Sequence, residues 1–179
     1  GASQEGIVRT QTTISNGVRM STARCYLKPI EKRKNLRIET GAHTQRVVIE
    51  GSKCTGIEYK SNGKLVHAKA SREVIICTGG VASPQLMELS GIGQPDLLKS
   101  HGIEVKHELT GVGEHLRDHI NAPIKFHMKR GDLSYNKRMQ GLGPAWQVLR
   151  YVFQKRGFMS LPSAPMLAFL RTRDDMETP

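Results

Sequence analysis

Cysteine is scarce in this chain of 179 residues: Cys25, Cys54 and Cys77 lie far apart, and no Cys-x-x-Cys pair occurs. That spacing encodes neither a zinc ribbon nor a redox pair, and scattered thiols in odd number predict a reduced, cytoplasmic protein. Aromatic residues make up only 5% of the chain, with a single Trp, so there is no stacking platform of the kind single-stranded nucleic acid needs. No apolar run approaches the length of a membrane span. Neither a Gly-x-Gly-x-x-Gly phosphate loop nor a Gly-x-Ser-x-Gly nucleophile elbow occurs; Gly91-Ile92-Gly93 and Gly111-Val112-Gly113 lack the third glycine at its place. The chain opens on Gly1-Ala2-Ser3 without an initiator Met and stops at Thr178-Pro179, which reads as an internal piece of a longer protein. Charge is plentiful but lopsided: 27 Lys and Arg against 16 Asp and Glu give +11. The cations are scattered, and the one tight cluster, Glu31-Lys32-Arg33-Lys34, contains an acid. No nucleic-acid partner is expected from this pattern.

One segment stands out. The apolar run Val74-Ile75-Ile76-Cys77 leads into Thr78-Gly79-Gly80, then Ser83-Pro84, and the stretch closes on Ser90-Gly91-Ile92-Gly93. It reads as strand, glycine turn, helix opening at Ser83, and glycine stop. Bare backbone beside a helix N-terminus suits a phosphate or a dinucleotide. Around it, apolar alternation predicts strands over 36–40, 46–50, 55–60, 64–70 and 73–77, with turns at Gly51-Ser52 and Ser61-Asn62-Gly63. Residues 1–20 read as irregular or edge structure. Ser21 is a fitting N-cap for a short helix before Pro29. A second helix is expected over 95–100 and a strand over 103–109, then a strand over 125–129 and a polar loop over 130–143. Leu142, Ala145, Trp146, Leu149, Val152 and Phe153 recur at helical spacing. Trp146 and Phe153 are expected in the core, with Gln147, Arg150, Gln154 and Lys155 on the wet side. Pro162 and Pro165 end that helix, and 166–170 reads as a buried strand.

Several of these segments, in this order, resemble the glucose-methanol-choline (GMC) oxidoreductase family, and in particular its bacterial choline-dehydrogenase-like members. They are Gln11-x-Thr13, Gly17-Val18-Arg19-Met20-Ser21-Thr22-Ala23, Tyr26-Leu27, Asn35-Leu36-Arg37-Ile38, Gly56-Ile57-Glu58-Tyr59, the segment 72–93, and Gly111-Val112-Gly113-Glu114-His115-Leu116-Arg117-Asp118-His119. The resemblance implies FAD as cofactor and an α/β fold. Residues 1–118 would belong to an FAD-binding, Rossmann-like domain with a β-rich block, and residues 119–179 would begin a sheet-based substrate domain. It further implies that the loop Ala42-His43-Thr44 meets the adenine through its backbone, with Thr44 where the family usually has Val. Cys77, Thr78, Gly79 and Gly80 would stand at a strand end near the FAD diphosphate, with Ser83 at the helix start beside them. The phosphate loop and the catalytic His of the family have no counterpart in this chain, so no catalytic residue is expected in it.

His115 and His119, four apart with Asp118 between, are the one candidate metal constellation. They lack the Glu of a His-Glu-x-x-His motif and a third ligand, so no metal is expected. The resemblance places this segment near the flavin. The implied reaction is hydride transfer from an alcohol carbon to the flavin, with oxygen or a quinone as electron acceptor. Two alternatives remain at this point: a non-enzymatic basic binding module, and an FAD-containing lyase of the same family. Oligomeric state is left open.

Overall fold

The computed structural model describes residues 5–127, 129–130 and 135–177. It divides into two compact units, residues 38–123 and residues 1–37 with 124–179. Which ligand each stretch serves, the question behind a division at 118, is separate from this packing.

Turn chemistry sets the topology of the unit 38–123. Strands β4 (His43–Glu50), β5 (Lys53–Ser61) and β6 (Lys64–Lys69) form an antiparallel meander. The β5–β6 turn is Asn62-Gly63 with φ of 50° and 76°. Two positive φ values make the turn whose twist matches that of the strands, and Asn-Gly tolerates both. The first strand of this sheet begins at His43, so the expected strand over 36–40 does not form. Nor does 73–77: these residues join no ladder among the described residues, although Val74 and Ile76 are half-buried and Ile75 is exposed as in a strand. Alternation gives a segment one greasy face, but a strand also needs a partner's hydrogen bonds.

Helix α1 (Gly79–Leu89) starts at Gly79, not at Ser83. Pro84 sits inside it and deletes one backbone hydrogen bond, the one to the Gly80 carbonyl in the first turn. The helix packs on β4 through Ser90, whose Oγ accepts the Val47 N–H (2.8 Å) and donates to the Leu86 carbonyl (2.5 Å). Gly91 follows at φ +87°, where a Cβ would stand 2.4 Å from the Glu104 carbonyl oxygen. That close approach seats the short parallel pair β7 (Ile92–Gly93) and β8 (His107–Glu108). The expected strand over 103–109 is reduced to those two residues. Between them runs α2 (Pro95–Ser100), with Leu98 wholly buried. Val47, Leu86, Leu98 and Val112 are the buried apolar side chains of this unit.

In the other unit, β1 (Gly6–Arg9) pairs antiparallel with β9 (Met166–Phe169). Hairpin β2 (Ile14–Ser15) and β3 (Val18–Arg19) turns on Asn16-Gly17, again with two positive φ values. At Gly17 a Cβ would overlap the Lys155 carbonyl, so the hairpin tip meets the end of α4 (Gly143–Gln154) directly. A π-helical turn, Ala23–Leu27, and a 3-10 turn, Lys28–Ile30, follow the hairpin. A further short helix, α3 (Tyr135–Arg138), lies in the expected loop. Residues 125–127 form no strand, and Met128 lies outside the described residues.

Two expectations are reversed here. Trp146 is 63% and Phe153 80% exposed, while Gln147, expected on the wet side, is 7% exposed. β9 forms as a strand but is exposed at every position. The chain as a whole exposes 15790 Å², whereas two compact domains sharing its mass would expose roughly 10,500 Å².

Candidate functional site

Glycine and a helix start build a hollow at the segment singled out in the sequence. Backbone N–H groups at the first turn of α1 have no intrahelical partner and carry the positive end of the helix dipole. Beside this turn lies a hollow of about 460 Å³ lined by Gly80, Val81, Ser83, Glu88 and the loop Gly111 to Glu114, with Leu116. The loop is held from inside by buried Val112 and from outside by Gln94, whose Nε2 donates to Glu114 Oε1 (2.8 Å) and the Thr110 carbonyl (3.4 Å). Thr78 and Ser83 hydroxyls bond each other at 3.0 Å across the helix start.

Six glycines of this unit differ in what requires them. Gly56 and Gly91 are demanded by backbone neighbours, since a Cβ would meet the Ala68 carbonyl oxygen at 2.3 Å and the Glu104 carbonyl oxygen at 2.4 Å, and Gly113 is demanded by its φ of +80°, with the movable Glu88 Oε1 at 2.7 Å. Gly79, Gly80 and Gly111 have nothing within 4 Å of a Cβ. Gly80 and Gly111 line the hollow, and Gly79 adjoins it at φ +93°. Packing within the chain gives Gly80 and Gly111 no reason to be glycine. Bare backbone facing open space beside a helix start is the geometry that lets a phosphate ligand approach closely. Glu88 and Glu114 also line the hollow.

Of the residues singled out in the sequence, Gly80 and Ser83 line the hollow. Thr78 and Gly79 precede them at the helix start. Cys77 is exposed and not part of the lining, and it ends no strand. Thr44 is also outside the lining; it lies in β4 opposite Tyr59, next to a register shift, and not in a loop. His115 and His119 are exposed and in no helix, so the shared-face geometry does not arise. His115 takes a left-handed backbone, φ 58°, and the Asp118 carboxylate accepts the His119 N–H at 2.7 Å. Among the described residues no group of three metal-ligating side chains gathers. Glu88 has no distinguishing signal in the sequence; it becomes visible only when Gly113 folds back onto it.

A second polar cluster crosses the sheet. Arg46, Glu58 and His67 are cross-strand partners. Arg46 donates to both Glu58 oxygens at 2.6 Å, and His67 Nε2 lies 3.4 Å from Glu58 Oε1. The hydrogen bond from Arg46 holds the Glu58 carboxyl below the usual carboxylate range, against the opposing effect of its burial.

The GMC oxidoreductase family model matches residues 1–121. An uncharacterized GMC-type oxidoreductase of Mycobacterium tuberculosis (strain ATCC 25618 / H37Rv) is 38% identical over 175 residues, covering 98% of this chain and 32% of that protein. An oxygen-dependent choline dehydrogenase of Chromohalobacter salexigens is 38% identical over 184 residues, covering all of this chain and again 32% of the relative. The chain thus spans about a third of the curated relatives it matches. Among solved structures, an Aspergillus oryzae RIB40 formate oxidase, studied for modification of its FAD, superposes with a TM-score of 0.76 at 26% identity, over 93% of this chain and 29% of its own. The match over 1–121 takes in both walls of the hollow, the α1 start and the Gly111–Glu114 loop, and with it the chain belongs to the GMC oxidoreductase family.

Proposed function

We propose that this chain supplies part of the FAD site of an oxidoreductase that acts on the CH–OH group of alcohols. The observation that carries the reading is the pair Gly80 and Gly111, whose backbones border the hollow with no neighbour that forbids a side chain. The unpaired N–H groups at the start of α1 would take phosphate oxygens of the cofactor. Thr78 and Ser83, already bonded to each other, steady that turn. The backbone at Thr44, a half-buried residue on β4, would meet the adenine, because β4 is an edge strand among the described residues and half of its amides and carbonyls point away from β5. Bound FAD supplies the hydride acceptor, and the protein's share is to bind, orient and shield it. Residues 1–118 serve the cofactor in this reading and residues 119–179 begin the substrate side. Oxygen or a quinone would take the electrons onward.

The test separates ligand approach from fold. Gly80→Ala meets no atom within 4 Å and has no left-handed φ to strain. Alanine inside a helix should even stabilise by roughly 0.5–1 kcal/mol. In a protein of the relatives' full length carrying this chain, Gly80→Ala should keep both its melting temperature and its flavin, because the family pattern this segment resembles has alanine at that place, whereas the bulkier Gly80→Val should lose most of its bound flavin, read as absorbance near the flavin bands. Gly79→Val should lose flavin as well, with some loss of stability from its φ of +93°. Full flavin occupancy in both Gly80→Val and Gly79→Val would remove the hollow from the cofactor site.

A further inference from the structure

The tripeptide Ser-Asn-Gly occurs twice, as Ser15-Asn16-Gly17 and as Ser61-Asn62-Gly63. Each copy closes a two-residue hairpin, β2–β3 and β5–β6, and the backbone angles nearly coincide: φ is 49° and 69° in the first, 50° and 76° in the second. Asparagine before glycine is open to attack on its own side chain, because glycine has no Cβ to crowd the approach of its nitrogen. The other asparagines, Asn35, Asn121 and Asn136, precede Leu36, Ala122 and Lys137, which do have one. Among the described residues neither the Gly17 nor the Gly63 N–H donates to a backbone carbonyl.

Packing separates the two copies. At Gly17 a Cβ would overlap the Lys155 carbonyl, so that tip is wedged against the end of α4. At Gly63 a Cβ would meet nothing within 4 Å, and Asn62 and Gly63 are both exposed. The difference matters because the reaction closes a five-membered imide ring, which fixes the asparagine backbone in a geometry that the left-handed turn does not have. The tip must swing before the ring can close. At Asn62 only the free tip moves, whereas at Asn16 Gly17 must first leave its seat on Lys155.

We propose that Asn62 is a site of spontaneous deamidation, chosen over Asn16 by the fold, and that its isoaspartyl product unfastens β6. Base removes the Gly63 amide proton, and the nitrogen bonds to the side-chain carbonyl carbon of Asn62. The bond from that carbon to the side-chain nitrogen breaks, and ammonia leaves with a proton. Water, the only co-reactant, then opens the imide. Opening at the side-chain carbon leaves an ordinary aspartate, which a two-residue hairpin accepts before glycine. Opening at the main-chain carbonyl leaves an isoaspartate, which routes the chain through the β-carbon and adds one atom to the loop. The Ser61–Lys64 closure and the register behind it, Glu58 opposite His67 included, have no slack for that atom. β6 is an edge strand among the described residues, with β5 as its one partner, and so it is the strand that loosens. The proposal does not depend on the flavin reading.

The experiment ages a protein of the relatives' full length carrying this chain in mildly alkaline buffer, folded and in concentrated urea. A protease that cuts after glutamate isolates the two sites in peptides 6–31 and 59–73, and mass spectrometry follows the conversion of amide to acid in each. In the folded protein Asn62 should convert about tenfold or more faster than Asn16, since local opening sets each rate. In urea the two copies should convert alike. A protease that cuts before aspartate leaves the isoaspartyl peptide whole and so counts it. Amides of β6 should exchange several-fold faster in the isoaspartyl fraction and at the parent rate in Asn62→Asp, which carries the charge without the extra atom. Equal conversion of Asn16 and Asn62 in the folded protein, or no conversion of Asn62, would overturn the proposal. A difference that persists in urea would assign the choice to sequence and overturn the part played by Lys155. Parent-like exchange in the isoaspartyl fraction would overturn the loosening of β6.

Discussion

Replacing Ser90 by Ala should cost more than any other single hydroxyl in the unit 38–123. Its Oγ is the acceptor for the Val47 amide at 2.8 Å, and both residues are buried, Ser90 at 7% and Val47 at 6% exposure. The variant leaves the Leu86 carbonyl with its bond from the Ser90 N–H, so that acceptor stays satisfied. The Val47 donor does not: an orphaned buried N–H costs about 1–3 kcal/mol. Taking the middle of that range, about 2 kcal/mol, the equilibrium for opening β4 away from α1 shifts by roughly 30-fold. Two measurements read it. Urea unfolding followed by circular dichroism should give a lower midpoint with an unchanged slope. Hydrogen exchange at the Val47 amide should accelerate by about the same 30-fold if exchange proceeds through that local opening. Ser100→Ala is the control, since its Oγ also bonds a backbone carbonyl, that of Leu97 at 2.7 Å, but on an exposed helix end. It should stay within about 0.5 kcal/mol of the parent. If Ser90→Ala matches Ser100→Ala and Val47 exchange does not change, the reasoning that Ser90 ties helix to sheet is wrong.

Gly91→Ala should be worse tolerated than Ser90→Ala, because its Cβ meets a backbone oxygen at 2.4 Å and its φ of +87° is left-handed. A purified variant as stable as the parent in urea would contradict that packing. Glu58 sets a pH dependence: its folded pKa lies below the unfolded value because of Arg46. The pair's contribution is therefore present above the unfolded carboxylate pKa of about 4.3 and is lost as pH falls through the lower folded value. Glu58→Gln should flatten the acid limb of stability against pH in that window, and an acid limb identical to the parent's would show the pair to be idle.

The legible part of the sequence is local. Asn62-Gly63 announces its turn because only a few residues accept two positive φ values in a row, and the β5–β6 register follows from it. Pro95 opens α2 where it should, and α4 covers the stretch its periodicity marks. The illegible part is non-local. Residues 73–77 have a strand's alternation but no ladder, since alternation reports on faces and is silent on partners. Ser83-Pro84 puts the start of α1 too late because it is a good opening on its own, while Gly79 and Gly80 look like a turn until the helix is seen to run through them. Thr44, expected in a loop, belongs to β4. In α4 the periodicity marks the right stripe and the wrong direction, because apolar spacing says which side of a helix is greasy and not which side is covered.

The Ser90-Gly91-Ile92-Gly93 and Thr78-Gly79-Gly80 runs look alike as sequence, each a small residue followed by glycine, yet the structure gives them different causes. Ser90 and Gly91 are explained without any ligand: one fills the Val47 amide's hydrogen bond, the other lets the Glu104 carbonyl approach. Gly80 has no such cause, and neither does Gly111 across the hollow. A glycine with neither a left-handed backbone nor a close neighbour weakens its helix or loop without helping the packing. Two of them bordering one hollow, beside the free amides of a helix start, make the hollow the place where something outside the chain comes nearest to its backbone. The outward stripe of α4 is of the same kind, since Leu142, Trp146, Leu149 and Phe153 stay exposed after the chain has packed. These two surfaces, one polar and glycine-lined and one apolar, are two of the places where the chain's own packing stops explaining its sequence.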